Sequence, residues 1–169
     1  MSDINPHSTA RIAGHPMHPM IVPFPIAFFV ATLATDIGYL RTGGAGWAEA
    51  SMWLLGAGLA MALLAAVLGF TDFFGERRVR RIREAWMHMG GNLVAVILAA
   101  VSFYLRATQG AEAAVAPIGV TLSVVVAGLL VFTGWMGGAL VYRHHVGVTD
   151  EMADPDAMLA PAHTRDRRH

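Results

Sequence analysis

The chain contains no cysteine and no lysine. The missing thiols exclude disulfides, thiolate zinc sites, cysteine-ligated iron–sulfur clusters and covalent haem attachment through a Cys-x-x-Cys-His motif. A metal ligand in this protein must therefore come from histidine, methionine or a carboxylate.

Sequence motifs of common enzymes are also missing. The chain has no Gly-x-Ser-x-Gly nucleophile motif, no phosphate-binding loop and no His-Glu-x-x-His zinc motif. Its N-terminal residues 1–14 are polar and lack the basic, apolar and cleavage regions of a signal peptide. The sequence leaves it undecided whether the protein is an enzyme.

Apolar residues make up 55% of the chain and charged residues only 14%, with a mean hydropathy of +0.50. This composition is typical of integral membrane proteins. A helix needs about 20 apolar residues to cross the hydrocarbon layer. Four stretches qualify, so we expect an all-α, multi-pass membrane four-helix bundle with spans at about 21–40, 52–74, 89–105 and 116–142. These spans form one domain over 15–148, between a polar tail at 1–14 and a mobile tail at 149–169.

The arginines predict the orientation of the bundle. In a four-span topology ten of them fall on the side of the termini, five in the loop 75–84, and only Arg41 and Arg106 on the other side. Because basic residues are retained on the cytoplasmic side, both termini should be cytoplasmic. We interpret the basic loop as a topology determinant at the lipid headgroups and not as a nucleic-acid site.

The same topology collects histidines from distant parts of the chain at the cytoplasmic end. His15 and His18 precede the first span, His88 opens the third, and His144, with His145 beside it, follows the fourth. Imidazole is the usual protein ligand for transition metals and the usual proton carrier near neutral pH. The cluster therefore predicts a metal, haem or proton site at this end.

The two N-terminal histidines each precede a proline, which favours extended or polyproline II backbone. In polyproline II geometry, His15 and His18 would lie on one edge about 9 Å apart, at ~3.1 Å per residue. That spacing suits contact with a large group such as haem better than compact chelation of one ion.

Three polar residues accompany the histidines. Asn92 lies one helical turn after His88, and Asp72 lies in the last apolar turn of the second span, so we expect both to orient the ligating rings. Asp36, near the opposite face, is either the far end of a proton path or a charge that snorkels to the outer headgroups beside Arg41. The second interpretation is favoured, because charges at span ends commonly snorkel.

A faint internal repeat relates the two halves. His18 leads into a run that ends Tyr39-Leu40-Arg41, and His88 leads into one that ends Tyr104-Leu105-Arg106, although the two spacings differ by five residues. Two parallel two-helix repeats about an axis along the membrane normal would bring His18 and His88 face to face.

These residues resemble those of a known family. The segment from Gly14 to Ile26, Gly-His-Pro-Met-His-Pro-Met-Ile-Val-Pro-Phe-Pro-Ile, is similar to the opening signature of the domain of unknown function 2231 family. The resemblance continues through Asp36, Gly69-Phe70-Thr71-Asp72, His88 with Asn92, and Gly134 to His144. It implies a bacterial four-span membrane protein without an assigned activity. Some members resemble fusions to a Rieske-type domain, which implies electron transfer. His145 stands where the family more often has a small residue, so His144 is the better candidate.

Two functions remain open. In the first, His15, His18, His88 and His144 hold haem b or a transition metal (copper, iron or zinc, with His18 and His88 as ligands), and the protein transfers electrons to a redox partner or respiratory complex. In the second, the protein is a proton- or ion-handling or assembly subunit of a larger membrane complex and has no cofactor. Either function is compatible with a homo-oligomer. Against both, any single histidine could simply cap a helix or bond a backbone carbonyl.

Overall fold

The structure, a computed structural model, describes residue 6, residues 8–13 and residues 15–148. A two-stranded antiparallel hairpin comes first, and helices follow it. The hairpin strands are β1 (Arg11–Ile12) and β2 (His15–Pro16); the α-helices are α1 (Met17–Ile21), α2 (Pro23–Thr42), α3 (Ala45–Gly75), α4 (Arg83–Gln109), α5 (Ala111–Ala114) and α6 (Val120–Tyr142). A 3₁₀ turn, Val79–Arg81, precedes α4, and a kinked segment, Val115–Gly119, with extended backbone at Ala116, joins α5 to α6. The tail predicted over 149–169 lies outside the described residues.

In the described part of the chain, four helical segments are long and apolar enough to cross a membrane, which confirms the predicted bundle. They are span 1 (Met17–Thr42), span 2 (Ala45–Gly75), span 3 (Arg83–Gln109) and span 4 (Ala111–Tyr142). The helices of spans 2 and 3 begin before the predicted apolar runs. Their first turns contain polar and small residues, which hydropathy does not count as part of a span.

The proline-rich start of span 1 is more helical than its sequence predicts. His15 is extended in β2, as expected, but His18 lies inside helix α1, so the polyproline II geometry predicted for His18 was wrong. Pro19 is tolerated there because the first turn of a helix has no intrahelical acceptors for its N–H groups. Pro23 and Pro25 occupy the same kind of position at the start of α2.

The spans pack as two hairpins around a central axis. Span 1 packs along span 2, and span 3 along span 4; the hairpins then meet through spans 1 and 4 and through spans 2 and 3. Spans 1 and 3 therefore occupy one diagonal of the bundle, and spans 2 and 4 the other.

Burial along the helices reveals the internal repeat. Every buried residue of α2 has a buried counterpart 70 positions later in α4: Pro25 and Ala95, Phe29 and Ala99, Thr32 and Ser102, Asp36 and Arg106. Spans 2 and 4 correspond at 68 positions: Ser51 and Gly119, Leu55 and Ser123, Gly58 and Val126, Ala65 and Thr133. The five-residue mismatch in the sequence repeat arose from aligning Arg106 with Arg41, whereas Arg106 is the counterpart of Asp36.

The pair Asp36 and Arg106 joins the two repeats near the end of the bundle opposite the histidines. Arg106 Nη1 and Nη2 each lie 2.9 Å from one oxygen of the Asp36 carboxylate, and neither side chain is exposed. The Ser51 and Ser123 hydroxyls donate to the same carboxylate, one to each oxygen. Ser102 accepts from Arg106 Nε at 3.4 Å. This network supplies the partners that buried charges need in a low-dielectric interior.

The snorkelling expected of Asp36 is therefore wrong. Asp36 and Arg106 both face the core, with 0% and 1% of their surface exposed. Each charge is stabilised by the other, so neither needs the headgroups. Of the two arginines counted on the side opposite the termini, Arg106 is thus buried and Arg41 is exposed.

Removing one member of this pair should destabilise the protein more than removing both. Arg106→Leu leaves the Asp36 carboxylate buried without its counter-charge, at an expected cost of about 3–5 kcal/mol. The double variant Asp36→Leu, Arg106→Leu leaves no buried charge and should lose clearly less than the sum of the single variants. Unfolding in detergent, followed by helical circular dichroism, measures these differences. Arg41→Leu, at an exposed position of the same end, is the matched control. Additive losses in the double variant would contradict the coupling.

Candidate functional site

His18 is fixed against the second span of its own repeat. Its Nδ1 atom lies 2.9 Å from the backbone carbonyl oxygen of Ala65. A carbonyl only accepts hydrogen bonds, so Nδ1 carries a proton, and in the neutral ring Nε2 keeps its lone pair. The ring lies against Gly69, where an added Cβ would come within 2.9 Å of it. Glycine is thus required at this position for the ring to lie so close to the helix.

His88 repeats this arrangement in the second half of the chain. Its Nδ1 lies 2.8 Å from the carbonyl oxygen of Thr133, and its ring lies against Gly137, where an added Cβ would come within 3.0 Å. The carbonyl fixes the same tautomer of the neutral ring, with the proton on Nδ1. Each histidine is therefore held by an equivalent carbonyl and an equivalent glycine.

The two rings meet across the axis of the bundle. Their centroids are 6.3 Å apart and their planes are nearly perpendicular, at 89°. Because His18 and His88 belong to diagonally opposed spans, the pair lies where both repeats converge. The structure thus brings together two of the four predicted ligands.

The environments of the two rings differ in one respect. Asn92 Nδ2 lies 3.3 Å from His88 Nε2 and 2.8 Å from the His88 backbone oxygen, while the Thr133 hydroxyl donates to Asn92 Oδ1 at 3.2 Å. Asn92 thus contacts the ring of His88, and its role in orienting a ligating ring stays a prediction. Val22 stands at the matching position in the first repeat, so His18 has no such amide.

The remaining candidate residues make contacts other than with these two rings. His15 is exposed and pairs with Ile12 in the hairpin. His144 Nε2 lies 3.4 Å from a carboxylate oxygen of Glu84, and His145 is exposed with a positive φ of 51°. Asp72 accepts hydrogen bonds at one oxygen, Oδ1, from the Ser8 hydroxyl (2.9 Å) and the Ala10 N–H (2.7 Å). Among the described residues its hydrogen bonds thus go to the N-terminal segment and not to an imidazole, contrary to the predicted ring-orienting role.

The donor set is compatible with a metal held by two protein ligands. Two imidazoles that bind one metal from opposite sides through bonds of about 2 Å place their centroids roughly 6 Å apart, since each centroid lies about 1 Å behind its nitrogen; a tetrahedral site would bring them to roughly 5 Å. The observed 6.3 Å agrees with this spacing. Within residues 15–148 and the described N-terminal residues, no group of three or more histidine and carboxylate side chains is placed to hold an ion. Further ligands would therefore come from a porphyrin, water or a substrate.

Sequence reasoning did not identify the residues that hold the rings. Gly69, Gly137 and the carbonyl oxygens of Ala65 and Thr133 belong to no sequence motif of metal sites. The signal that could have found them is the 68-residue correspondence between spans 2 and 4, which pairs glycine with glycine.

A family model confirms the resemblance seen in the sequence. Residues 14–150 match the model described as predicted membrane protein, DUF2231, so the chain belongs to this family. No curated protein and no solved structure matches the chain.

Two neighbouring glycines of span 4 provide a test of the ring packing. In Gly137→Ala the new methyl group would press on the His88 ring, whereas at Gly138 nothing lies within 4 Å of an added Cβ. We expect Gly137→Ala to shift the imidazole NMR signals of His88 and to lower the unfolding temperature. Gly138→Ala should leave both unchanged. Equal responses of the two variants would show that the ring does not pack on Gly137.

Proposed function

We propose that His18 and His88 together bind one transition-metal centre and that the protein acts in electron transfer at the cytoplasmic end of the bundle. The centre is the iron of haem b or a copper or iron ion; imidazole also suits zinc, but a bound zinc ion has no redox chemistry and would not transfer electrons. The observation that carries the proposal is the pair of imidazoles at the bundle axis. Each donates its Nδ1–H to a carbonyl, and the two ring centroids are 6.3 Å apart.

The hydrogen bonds on Nδ1 are those that metal-binding histidines usually make. A carbonyl that accepts from the far nitrogen fixes the tautomer, orients the ring and makes Nε2 a better donor. Both rings have this support from helical backbone, which is more rigid than a loop. This carbonyl support occurs twice in the bundle because each repeat contains one such histidine.

The residues that surround the pair would each have a defined role. Gly69 and Gly137 let the rings approach the helices, so that a centre would sit between the repeats and not beside them. Asn92 would distinguish the two histidines, because its amide lies within hydrogen-bonding distance of His88 Nε2 and would have to turn away before that lone pair binds a metal. When bound, a copper or iron centre supplies one-electron chemistry. The described residues hold the ligand atoms in place for it.

A spectrum and a metal analysis of the purified protein test this proposal. We expect the wild-type protein in detergent to hold one haem or one metal ion per chain. A haem gives a reduced-minus-oxidised absorption difference, and a bare ion gives none but appears in elemental analysis. His18→Ala and His88→Ala should each abolish the bound group, because a single imidazole remains.

The matched controls are His144→Ala and His15→Ala. Each removes an imidazole from the end of the bundle that carries His18 and His88. They should keep the bound group. A folded protein without haem or metal, or equal losses in all four variants, would contradict the proposal. The first outcome would favour the second candidate, a proton-handling subunit, in which the unprotonated Nε2 atoms take up protons. Asp36 adds little to such a path, because its carboxylate already binds a guanidinium group and two hydroxyls.

We also propose that the histidine end faces the cytoplasm of a bacterial cell. The arginines of the loop between spans 2 and 3 support this orientation through the positive-inside rule. The natural chain has no cysteine, so single cysteines report topology without background. In intact cells, a membrane-impermeant maleimide that reaches only the outer face of the inner membrane should label Thr42→Cys and spare Arg80→Cys. The reverse labelling would contradict the proposed orientation, because the histidine end would then face the outside.

A further inference from the structure

The N-terminal strap, residues 8–13, is tied to the end of span 2. Asp72, in the last turn of that span, accepts hydrogen bonds from the Ser8 hydroxyl and the Ala10 N–H, both at Oδ1. Only 6% of Ser8 is exposed. The strap is therefore packed against the bundle, although the sequence assigned these residues to a polar tail.

The same segment also contacts the chain just beyond span 4. The Gly147 N–H donates to the carbonyl oxygen of Pro6 at 2.9 Å, and an added Cβ at Gly147 would lie 3.7 Å from the Ser8 side chain. After Ala10, the chain returns to span 1 through the hairpin, where the Met17 N–H donates to the Ala10 oxygen at 2.9 Å.

These contacts place the strap at the end of the face of span 2 that holds His18. Asp72 follows Ala65 by seven residues and Gly69 by three, and both of those residues contact the His18 ring, so the three positions share one face of the helix. The centroid of the His88 ring lies 6.3 Å from that of His18, at the same end of the spans. The strap thus binds span 2 directly beyond the imidazole pair.

Only one repeat carries the acceptor. The counterpart of Asp72, 68 positions later, is Leu140, which packs with the buried cluster of Phe73, Val79 and Ala85. The second repeat therefore ends in an apolar contact where the first ends in two hydrogen bonds. This departure from the repeat coincides with the only place where the strap binds a side-chain carboxylate in the described residues.

We infer that the N-terminal strap is a lid over the two histidines and that Asp72 is its latch. The inference rests on the proposed function, because a lid there regulates access to the proposed metal centre. Opening requires the loss of both hydrogen bonds to Asp72 and of the bond between the Gly147 N–H and the Pro6 oxygen, after which the strap can lift from the end of span 2. A metal ion, a haem or a small reactant would then reach the rings from the cytoplasmic side.

Chemical modification of the histidines tests the lid without any metal. Diethylpyrocarbonate acylates accessible imidazoles, and mass spectrometry reports the rate at each histidine of the metal-free protein in detergent. Asp72→Ala should raise the rates at His18 and His88 roughly 5- to 30-fold, as expected for the loss of one or two hydrogen bonds. Asp72→Asn keeps an acceptor oxygen and should stay near the wild-type rate.

Glu84→Gln is the matched control, because it removes another carboxylate from the same end, one that contacts His144 instead of the strap. It should leave the rates at His18 and His88 unchanged. Unchanged rates in a folded Asp72→Ala variant would overturn the inference. So would an equal rise at His15 and His144, because that would report general loosening of this end.

A reversible crosslink decides the matter if Asp72→Ala fails to fold. The Ser8 and Asp72 side chains touch, and the chain has no other thiols, so Ser8→Cys with Asp72→Cys should form a single disulfide. Acylation of His18 and His88 should be slow in the oxidised form and faster after reduction. Equal rates in the two forms would overturn the lid. Because this readout needs no metal, a failure of metal binding leaves it interpretable, and the two proposals can fail separately.

Discussion

The bidentate ion pair between Asp36 and Arg106 is the interaction on which the arrangement of the spans depends. Lipid gives helices no hydrophobic reason to associate, so packing and polar contacts must do so. The carboxylate of span 1 binds the guanidinium of span 3 and the hydroxyls of Ser51 in span 2 and Ser123 in span 4. One buried group thus contacts all the spans and fixes their relative depth. Any sliding of one hairpin against the other would leave a charge unpaired.

The consequence appears at the opposite end of the bundle. His18 precedes Asp36 by the same 18 residues that separate His88 from Arg106, about 27 Å of helix at 1.5 Å per residue. A register fixed at one end therefore aligns the two imidazoles at the other. The parallel repeat puts opposite charges in equivalent positions where they attract, and identical imidazoles in equivalent positions where they can share a ligand. The end with the ion pair therefore has a structural role, and the end with the imidazoles has a candidate functional role.

Much of this fold could be predicted from the sequence, because length and hydropathy define membrane spans well. The pairing of His18 with His88 also followed from the topology. The partner of Asp36 did not, because arginine and aspartate near span ends look like ordinary interfacial charges until the repeat is aligned at 70 residues. The strap was missed for a different reason. Its contacts to Asp72 use a backbone N–H and one serine hydroxyl, which leave no pattern in a polar segment.

The central claim is that two imidazoles from the two repeats hold one metal. X-ray absorption at the edge of the metal that copurifies with the protein tests it most directly, because the scattering counts the imidazole ligands. The account predicts two imidazole nitrogens at about 2 Å, with four porphyrin nitrogens in addition if the metal is haem iron. A metal with one imidazole or none, or a folded protein that holds no metal after expression with copper, iron, zinc and haem supplied, would contradict it.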